Sequence, residues 1–461
     1  MRFQALARPS SRWTRMLVFV CVACAVHLQT AQAQFFPGRG GFGGVVGGVR
    51  IYTDGVLRTA TQEEQNELLE QMRVQMVGAQ GDLAKPTDLR MISLKKIQEM
   101  VLESVRSNTQ LPEEVLYLGG LTRVQYVFVY PERQDIVIGG PAEPWQVGPS
   151  GAVVGKVSGK PIVYLDDLLT AFRYVSSARQ TPVSVSIEPT EQGVRRLNQL
   201  ISNIGSNANP QQLVPLLAEA FGPQQIKLTG IPSDSHMARV ILAADYRMKL
   251  YGMNLAQAPV KGLPSYLEMI QSRSNASTQL QNRWWMACDY ESIAHSRDRL
   301  AWKVSGPGIK TLTEQEAYDQ NGTAKQLGKV DAVAKKWADL FTKKIDELAK
   351  VDTVFGDLRN VMDLCVIAAV IEGQNLQSQS GCDLSGILGD RATVETTKFA
   401  IPTSLDPQVS FLQTVQGLLV SASGGVMIES WHVATTTTEN DTVAAARSKA
   451  AQWNNSDSWF Q

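Results

Sequence analysis

The side chains best suited to catalysis lie in one segment, residues 230–252, whose pattern predicts a helix from about residue 233. Asp234, His236 and Asp245 supply the carboxylate and imidazole groups that commonly act as acids and bases in enzymes. Such chemistry requires these groups to face an open cleft and not one another. These three residues are therefore the catalytic candidates if the chain is a hydrolase.

The same helix carries several charged residues although its apolar pattern predicts burial. Its two apolar sides are formed by Met237, Val240, Ile241, Ala244, Met248 and Tyr251, and by Leu242, Tyr246 and Leu250. A helix with two apolar sides is expected to be largely buried, and buried charge is costly unless it is paired. Asp245 and Lys249 can pair at i,i+4. His236, Arg239 and Arg247 lie on another flank, where they would meet an anionic ligand or acidic partner segment, or form salt bridges between domains.

Two tryptophan-containing segments are candidate binding surfaces. Residues 283–302 interleave Trp284 and Trp285 with charged side chains, which would make a platform for sugar or peptide if the rings are exposed. The alternative is that these rings fill the core of a sheet. Glu143-Pro-Trp145, in a loop, is the second candidate, and its alternative is a plain turn with a packed indole.

Motifs for cofactors and metals are missing or out of context. The glycines of residues 38–43 match the dinucleotide fingerprint by letter, but no strand precedes them and no helix follows. Only His236, His295 and His432 follow the predicted signal peptide, and there is no His-Glu-x-x-His or Cys-x-x-Cys. We therefore expect no cofactor and no metal centre.

The N-terminus predicts export. Arg2, Arg8, Arg12 and Arg15 precede an unbroken apolar run over residues 16–26, and a small-x-small cleavage pattern ends at Ala33. An apolar run of this length is too short to stay in a bilayer as an anchor. We expect a cleaved Sec-type signal, which places the protein in the periplasm or outside the cell.

Composition narrows the possible partners. The predicted signal holds four basic and no acidic residues, so the rest of the chain has 40 basic and 44 acidic residues, a formal net charge of −4. Mild acidity gives no reason to expect nucleic acid. The longest later apolar stretch, residues 364–371, is too short to span a membrane and reads as buried helix. The sequence makes no prediction of the oligomeric state.

Cysteine usage offers one candidate disulfide. Sixteen residues separate Cys365 from Cys382. Closing such a loop in an oxidising compartment would stabilise the fold by about 3 kcal/mol. The alternative is that Cys365, inside an apolar run, is simply a small buried side chain.

Length and pattern predict an α+β protein with two mixed domains, the second with an antiparallel sheet and a helical insert. The predicted order is signal peptide (1–33), glycine-rich flexible tether (34–49), N-terminal mixed α/β domain (50–205), C-terminal α+β domain (206–434) and flexible tail with a marginal helix (435–461).

Several elements carry local signals. Thr61 with Glu64 forms a capping box, a helix runs from Ser93 to about residue 106, and Asp166 is expected to cap a further helix. Hairpins are predicted between residues 124–130 and 136–138, and between residues 418–422 and 426–433 through Ser-Gly-Gly.

Three stretches together resemble a known family. Gly140-Pro-Ala-Glu-Pro-Trp145, residues 234–249, and residues 298–314 with their Ser-Gly-Pro-Gly-Ile-Lys-Thr-Leu-Thr core are similar to a planctomycete-type family of secreted bacterial proteins with a domain of unknown function. This resemblance implies an exported bacterial protein and transfers no catalytic residue.

Taken together, the sequence favours an exported, soluble binding or envelope-associated structural component. Its partner would be an envelope macromolecule or protein, contacted through Arg239, Arg247 and the tryptophan-rich strand. The alternative is an extracytoplasmic hydrolase with its acid–base site on the 233–252 helix.

Overall fold

The computed structural model describes residues 45–46, 49–51, 56–203, 210–271, 281–319, 321, 323–389, 394, 396–412, 418–450 and 458–461. Within these residues the protein has 13 helices and mixed sheets, and its fold is α+β, as the sequence predicted. The predicted signal peptide, most of the predicted tether and the boundary at residues 205–206 lie outside the described residues.

The strands are β1 (Val45–Val46), β2 (Val49–Ile51), β3 (Val56–Thr59), β4 (Thr87–Ser93), β5 (Tyr126–Tyr130), β6 (Asp135–Ala142), β7 (Trp145–Val147), β8 (Val153–Gly155), β9 (Val183–Glu188), β10 (Gln224–Thr229), β11 (Gln281–Asp289), β12 (Ile293–His295), β13 (Ala301–Lys303), β14 (Gly308–Tyr318), β15 (Ala324–Gln326), β16 (Ser404–Leu405), β17 (Val409–Leu412), β18 (Leu418–Ile428) and β19 (Thr437–Glu439).

The helices are α1 (Gln62–Gln75), α2 (Leu94–Ser107), α3 (Glu113–Leu116), α4 (Leu165–Tyr174), α5 (Glu191–Asn203), α6 (Pro210–Phe221), α7 (His236–Gly252), α8 (Tyr266–Gln271), α9 (Ala332–Val351), α10 (Val354–Gly373), α11 (Leu376–Ser380), α12 (Ser430–Thr435) and α13 (Thr442–Ala450).

The main sheet has the strand order β1-β2-β3-β16-β10-β9-β18-β11-β14-β15, and β17 pairs with β18 beside this path. Most neighbours are antiparallel, but β11 runs parallel to β18 and β3 runs parallel to β16. β9 precedes residue 205 and lies between β10 and β18, which follow it. Strands from both sides of the predicted domain boundary therefore share one hydrogen-bonded sheet.

A second sheet has the order β19-β12-β13-β5-β6-β4. It contains the predicted hairpin, since Tyr126 to Tyr130 pair antiparallel with Gly139 to Asp135. One face carries Val127, Val129 and Ile138 into the large core, and α13 packs near the other face. The alternation of β5 explains this arrangement, because successive side chains point to opposite faces.

The helices between the sheets form the centre of the molecule. α10 is buried from Val354 to Ile371 without interruption, which confirms the predicted buried helix. It packs against α4, α7, α9 and α12. α7 packs on β9 and β18, and α9 packs on β14, so one face of the main sheet is covered by helices.

Local capping signals are largely confirmed. The Thr61–Glu64 capping box opens α1, and the Ser93 hydroxyl accepts a hydrogen bond from the Lys96 amide at the start of α2. The predicted cap at Asp166 is wrong. α4 begins one residue earlier, at Leu165, so Asp166 lies inside the first helical turn.

The predicted hairpin through Ser-Gly-Gly is also wrong, because β18 runs without a turn from Leu418 to Ile428. Its glycines serve close packing between strands. A Cβ atom on Gly424 would lie 1.9 Å from the Trp284 carbonyl oxygen, and one on Gly425 would lie 1.7 Å from that of Val185. Glycine is a common turn residue, but it is also required where backbones approach this closely.

The segment after Ala434 contains β19 and α13, the latter matching the predicted helix. Further along, the Met91 amide donates to the Gln461 carbonyl at 2.9 Å and the Ser93 amide donates to that of Trp459 at 2.9 Å. Residues 458–461 therefore line the free edge of β4, while residues 451–457 lie outside the described part of the chain.

Candidate functional site

α7 places the predicted catalytic candidates in the interior. The helix begins at His236, and the Ser235 hydroxyl caps it by accepting from the Ala238 amide at 3.1 Å. Every residue of α7 except Arg247 is buried. The buried helix predicted from the two apolar sides is therefore confirmed. The charged groups of α7 require partners inside the protein.

Asp245 and Lys249 form a fully buried ion pair. The Lys249 ammonium lies 3.0 Å from Asp245 Oδ2 and also donates to the backbone carbonyls of Ile187 on β9 and Gly424 on β18, each at 3.1 Å. These three contacts use all three ammonium donors. Burial raises the pKa of Asp245 to about 7, although Lys249 acts in the opposite direction. The pair joins α7 to two central strands of the main sheet.

The other two catalytic candidates contact different parts of the protein. His236 Nδ1 lies 3.0 Å from both carboxylate oxygens of Asp167 on α4, and its ring packs edge-on against Tyr164. Asp234 instead lies 3.1 Å from the Lys398 ammonium. The structure therefore gives His236 and Asp245 separate partners within the core.

The two arginines of α7 are also occupied by protein groups. Arg239 Nη1 donates to the Ala400 carbonyl at 3.1 Å, and burial lowers the pKa of this arginine to about 10. Arg247 Nε donates to Asp352 at 2.9 Å, where the Tyr251 hydroxyl donates as well. Both contacts join distant segments within residues 206–434, the predicted C-terminal domain, and not two domains.

Glu143 and Trp145 hold loops together. The Glu143 carboxylate accepts from the Val157 amide at 2.6 Å and from the Ser158 amide at 2.8 Å. Trp145 is buried, and its indole nitrogen donates to the Glu113 carboxylate. Their geometry fits the alternative of a turn with a packed indole.

Trp284 and Trp285 lie on opposite faces of β11. Trp284 is completely buried, with its ring centroid 4.6 Å from that of Trp337 and 5.2 Å from that of Tyr266. Trp285 is half-buried on the other face, where the guanidinium carbon of Arg283 lies 6.0 Å from its ring centroid. Only Trp285 is placed to contact a ligand.

We call this second side of the main sheet the open face. Strand register places its side chains in rows. In the row of Trp285, Ser186 on β9 is followed by Gly425 on β18, Trp285 on β11 and Leu312 on β14. The flanking rows contain Ser184, Met427, Ala287 and Lys310 on one side, and Glu188, Ser423, Arg283 and Glu314 on the other.

The open face is polar and accessible in part, because Ser423 and Gly425 near its middle are buried. Lys227 and Met427 are exposed, and Ser184, Ser186 and Arg283 are half-buried. In the part of the chain that the structure describes, Arg283 forms no ion pair, and its neighbour Glu314 instead accepts from the Gly328 amide at 2.9 Å. Antiparallel pairs often keep one such solvated face, as the alternation in β9 shows.

One buried charge cluster was not predicted from the sequence. Arg123 donates to both oxygens of Asp363 at 2.7 and 3.1 Å, and the Tyr290 hydroxyl donates to the same carboxylate at 2.8 Å. The arginine and aspartate are 240 residues apart. An acidic residue inside the apolar α10 was the only available signal, because buried carboxylates require partners.

The cysteines that follow the predicted signal peptide are free thiols. Cys365 and Cys382 are not bridged, and Cys365 is a small buried side chain within α10. Burial raises the pKa of Cys382 to about 11 and that of Cys288 to about 12. Thiols with raised pKa values carry little thiolate at neutral pH and are poor nucleophiles.

Across the described ranges, no three His, Cys, Asp or Glu side chains are grouped so that they would hold a metal ion. None of the described helices combines the length and apolar character needed to cross a membrane.

Comparison with known proteins identifies one domain. Residues 185–266 match the family described as "Protein of unknown function (DUF1598)". Neither the curated proteins nor the solved structures contain a significant match to the chain. The matched region runs from β9 to the first residue of α8 and includes all of α7 with its buried charges. The chain thus contains a DUF1598 domain of unknown function at residues 185–266.

Proposed function

We propose that this protein is an exported binding protein that holds an envelope macromolecule on the open face of its main sheet. The observation that carries the proposal is the juxtaposition of half-buried Trp285 with Arg283, which has no ion partner in the described ranges. Tryptophan and arginine are both enriched at binding hot spots.

The candidate residues on α7 support this proposal indirectly, because they already have partners inside the protein. Asp245 is bonded to Lys249, and Arg247 is bonded to Asp352. A ligand would have to break these contacts and leave a charge buried without its partner. His236 faces Asp167 within the core, which leaves the alternative of a hydrolase centred on α7 with less support.

The export part of the proposal rests on the N-terminal sequence. Expression of the full chain in a bacterium and N-terminal sequencing of the extracytoplasmic fraction would test it, with Gln34 expected as the first residue. Replacing Ala33 with phenylalanine should block processing, because signal peptidases require a small residue there. Recovery of uncleaved protein from the cytoplasm would contradict export.

The binding part is tested by cosedimentation of the purified chain with washed bacterial envelope fragments. We expect the double variant Arg283→Ala/Trp285→Ala to bind about tenfold more weakly than the native chain or worse. Arg297→Ala is the matched control, because Arg297 is exposed on another part of the surface, 3.6 Å from Glu439. Equal binding by all three folded proteins, or no binding by the native chain, would contradict the proposal.

A further inference from the structure

One neighbour of Trp285 adds no side chain to the open face. Gly425 on β18 has no side chain, and on its far side Ser186 presents only a hydroxyl. Leu312 lies opposite Trp285 on β14 and is itself half-buried. Between glycine on β18 and half-buried Leu312 on β14, the half-buried indole presents part of its surface to a planar group approaching the face of the sheet.

The charges of the open face are balanced. Its accessible basic side chains are Lys227, Arg283 and Lys310, and its accessible acidic side chains are Glu188, Asp289 and Glu314. Glu316 lies on the same side of β14 but is buried, accepts hydrogen bonds from Ser423 and Tyr318, and has its pKa raised by burial. Lys310 and Asp289 lie 3.8 Å apart, so part of this charge is already compensated. A polyanion such as nucleic acid is favoured by a surface with net positive charge. The balance of charges here complements a neutral ligand.

The apolar area of the open face is small. Trp285, Leu312 and Met427 are the large apolar side chains of the described rows, and Met427 is 37 % exposed. Protein partners normally bury an apolar interface core that is depleted in charged groups. One aromatic ring among serines and charged side chains is better suited to a ligand that is mostly polar.

We propose, as a deepening of the proposed function and resting on it, that the ligand is a neutral polysaccharide. Sugar rings combine an apolar C–H face with a rim of hydroxyl groups. One ring would stack on the indole of Trp285, since the negative π-face attracts C–H groups. Arg283 donates, Glu188 accepts and Ser186 does both, so this set suits hydroxyl groups at the rim.

The contact between Arg283 and Trp285 does not prevent such stacking. The guanidinium carbon is 6.0 Å from the ring centroid, which is the outer limit of a cation–π interaction. A sugar ring would therefore displace only a weak contact. The guanidinium would then stay beside the ring, where its donors reach hydroxyl groups of the neighbouring sugar.

The experiment uses neutral hexasaccharides of glucose, N-acetylglucosamine and xylose with the full purified chain. Calorimetry should detect binding of at least one hexasaccharide, and Trp285→Ala should weaken it by about tenfold or more. Trp285→Phe should retain part of the affinity, because a ring remains for stacking. Lys325→Ala, on the exposed strand β15, is the control and should leave binding unchanged.

Salt and enzymatic digestion separate the possible ligands. Binding of a neutral sugar should change little with ionic strength, because salt screens charge–charge attraction. Glycosidase treatment of envelope fragments should remove the binding, whereas protease treatment should not. If protease removes it and no hexasaccharide binds, the partner is a protein and the sugar inference fails while the proposed function stands. If neither fragments nor hexasaccharides bind, both fail.

Discussion

Trp284 and Trp285 are neighbours in sequence, but the pleat of β11 sends them to opposite sides of the main sheet. Trp284 packs against Trp337 in the core with no exposed area, and Trp285 lies half-buried on the open face. One strand therefore supplies both a core anchor and a candidate ligand contact. Substitution of Trp284 therefore tests the stability of the core, and substitution of Trp285 tests ligand binding.

We predict that the two tryptophans differ in their contribution to stability. Trp284→Ala should lower the free energy of unfolding by about 3–5 kcal/mol, because it leaves a cavity beside Trp337. Trp285→Ala should lower it by less than about 1 kcal/mol, since its ring is partly solvated. Urea unfolding of both variants measures the difference, and equal losses would show that the indole of Trp285 is part of the core.

The buried carboxyl group of Asp245 should make stability depend on pH. Its pKa is raised from 3.8 to about 7 on folding, so the folded state binds more protons between these values. The free energy of unfolding should therefore fall as pH rises, by at most about 1.4 kcal/mol for each pH unit, and level off above the raised pKa.

Comparison with Asp245→Asn isolates that contribution. The native chain should lose stability relative to this variant as pH rises from 4 to 7, measured by urea unfolding at fixed ionic strength. Asp339→Asn on the exposed side of α9 is the control, because that residue pairs with Lys335 in solvent. A difference that stays constant with pH would show that Asp245 keeps its charge in the core.

Gly425 should be intolerant of any side chain. Gly425→Ala would place a Cβ atom 1.7 Å from the Val185 carbonyl oxygen and force β9 and β18 apart. We expect a loss of several kcal/mol or failure to fold, measured by thermal unfolding and circular dichroism. Ser186→Ala is the control, because this half-buried residue lies opposite Gly425 on β9 and the substitution adds no atom to the strand pair. A folded, native-like Gly425→Ala protein would contradict the tight strand packing.

The Arg123–Asp363 pair should be more important for stability than exposed ion pairs. Among the described residues, Arg123→Ala leaves buried Asp363 with only the Tyr290 hydroxyl as a partner, so a loss of about 3–5 kcal/mol is expected. Lys335→Ala removes one partner of an exposed pair on α9 and should cost less than about 1 kcal/mol. Chemical unfolding of both variants provides the comparison, and similar losses would show that water reaches Asp363.

Much of the local structure was predictable because its signals act over a few residues. The Thr61–Glu64 capping box, the hairpin between β5 and β6 and the buried character of α7 all depend on neighbouring side chains. The errors at Asp166 and at Ser-Gly-Gly have one cause. A carboxylate or a glycine pair suits more than one local structure, and distant packing decides which one forms.

The candidate site required the tertiary structure. The sequence analysis treated Trp284 and Trp285 together, as exposed or as core, and the packing of α7 and α9 determined which of the two is covered. The partners of Arg247 and Arg123 lie 105 and 240 residues away. The sequence by itself determined the α+β character, the capped helices and the presence of too much charge on a buried helix. The fold decided which charges are neutralised inside and which side of the sheet faces solvent, because those outcomes depend on contacts between segments far apart in the chain.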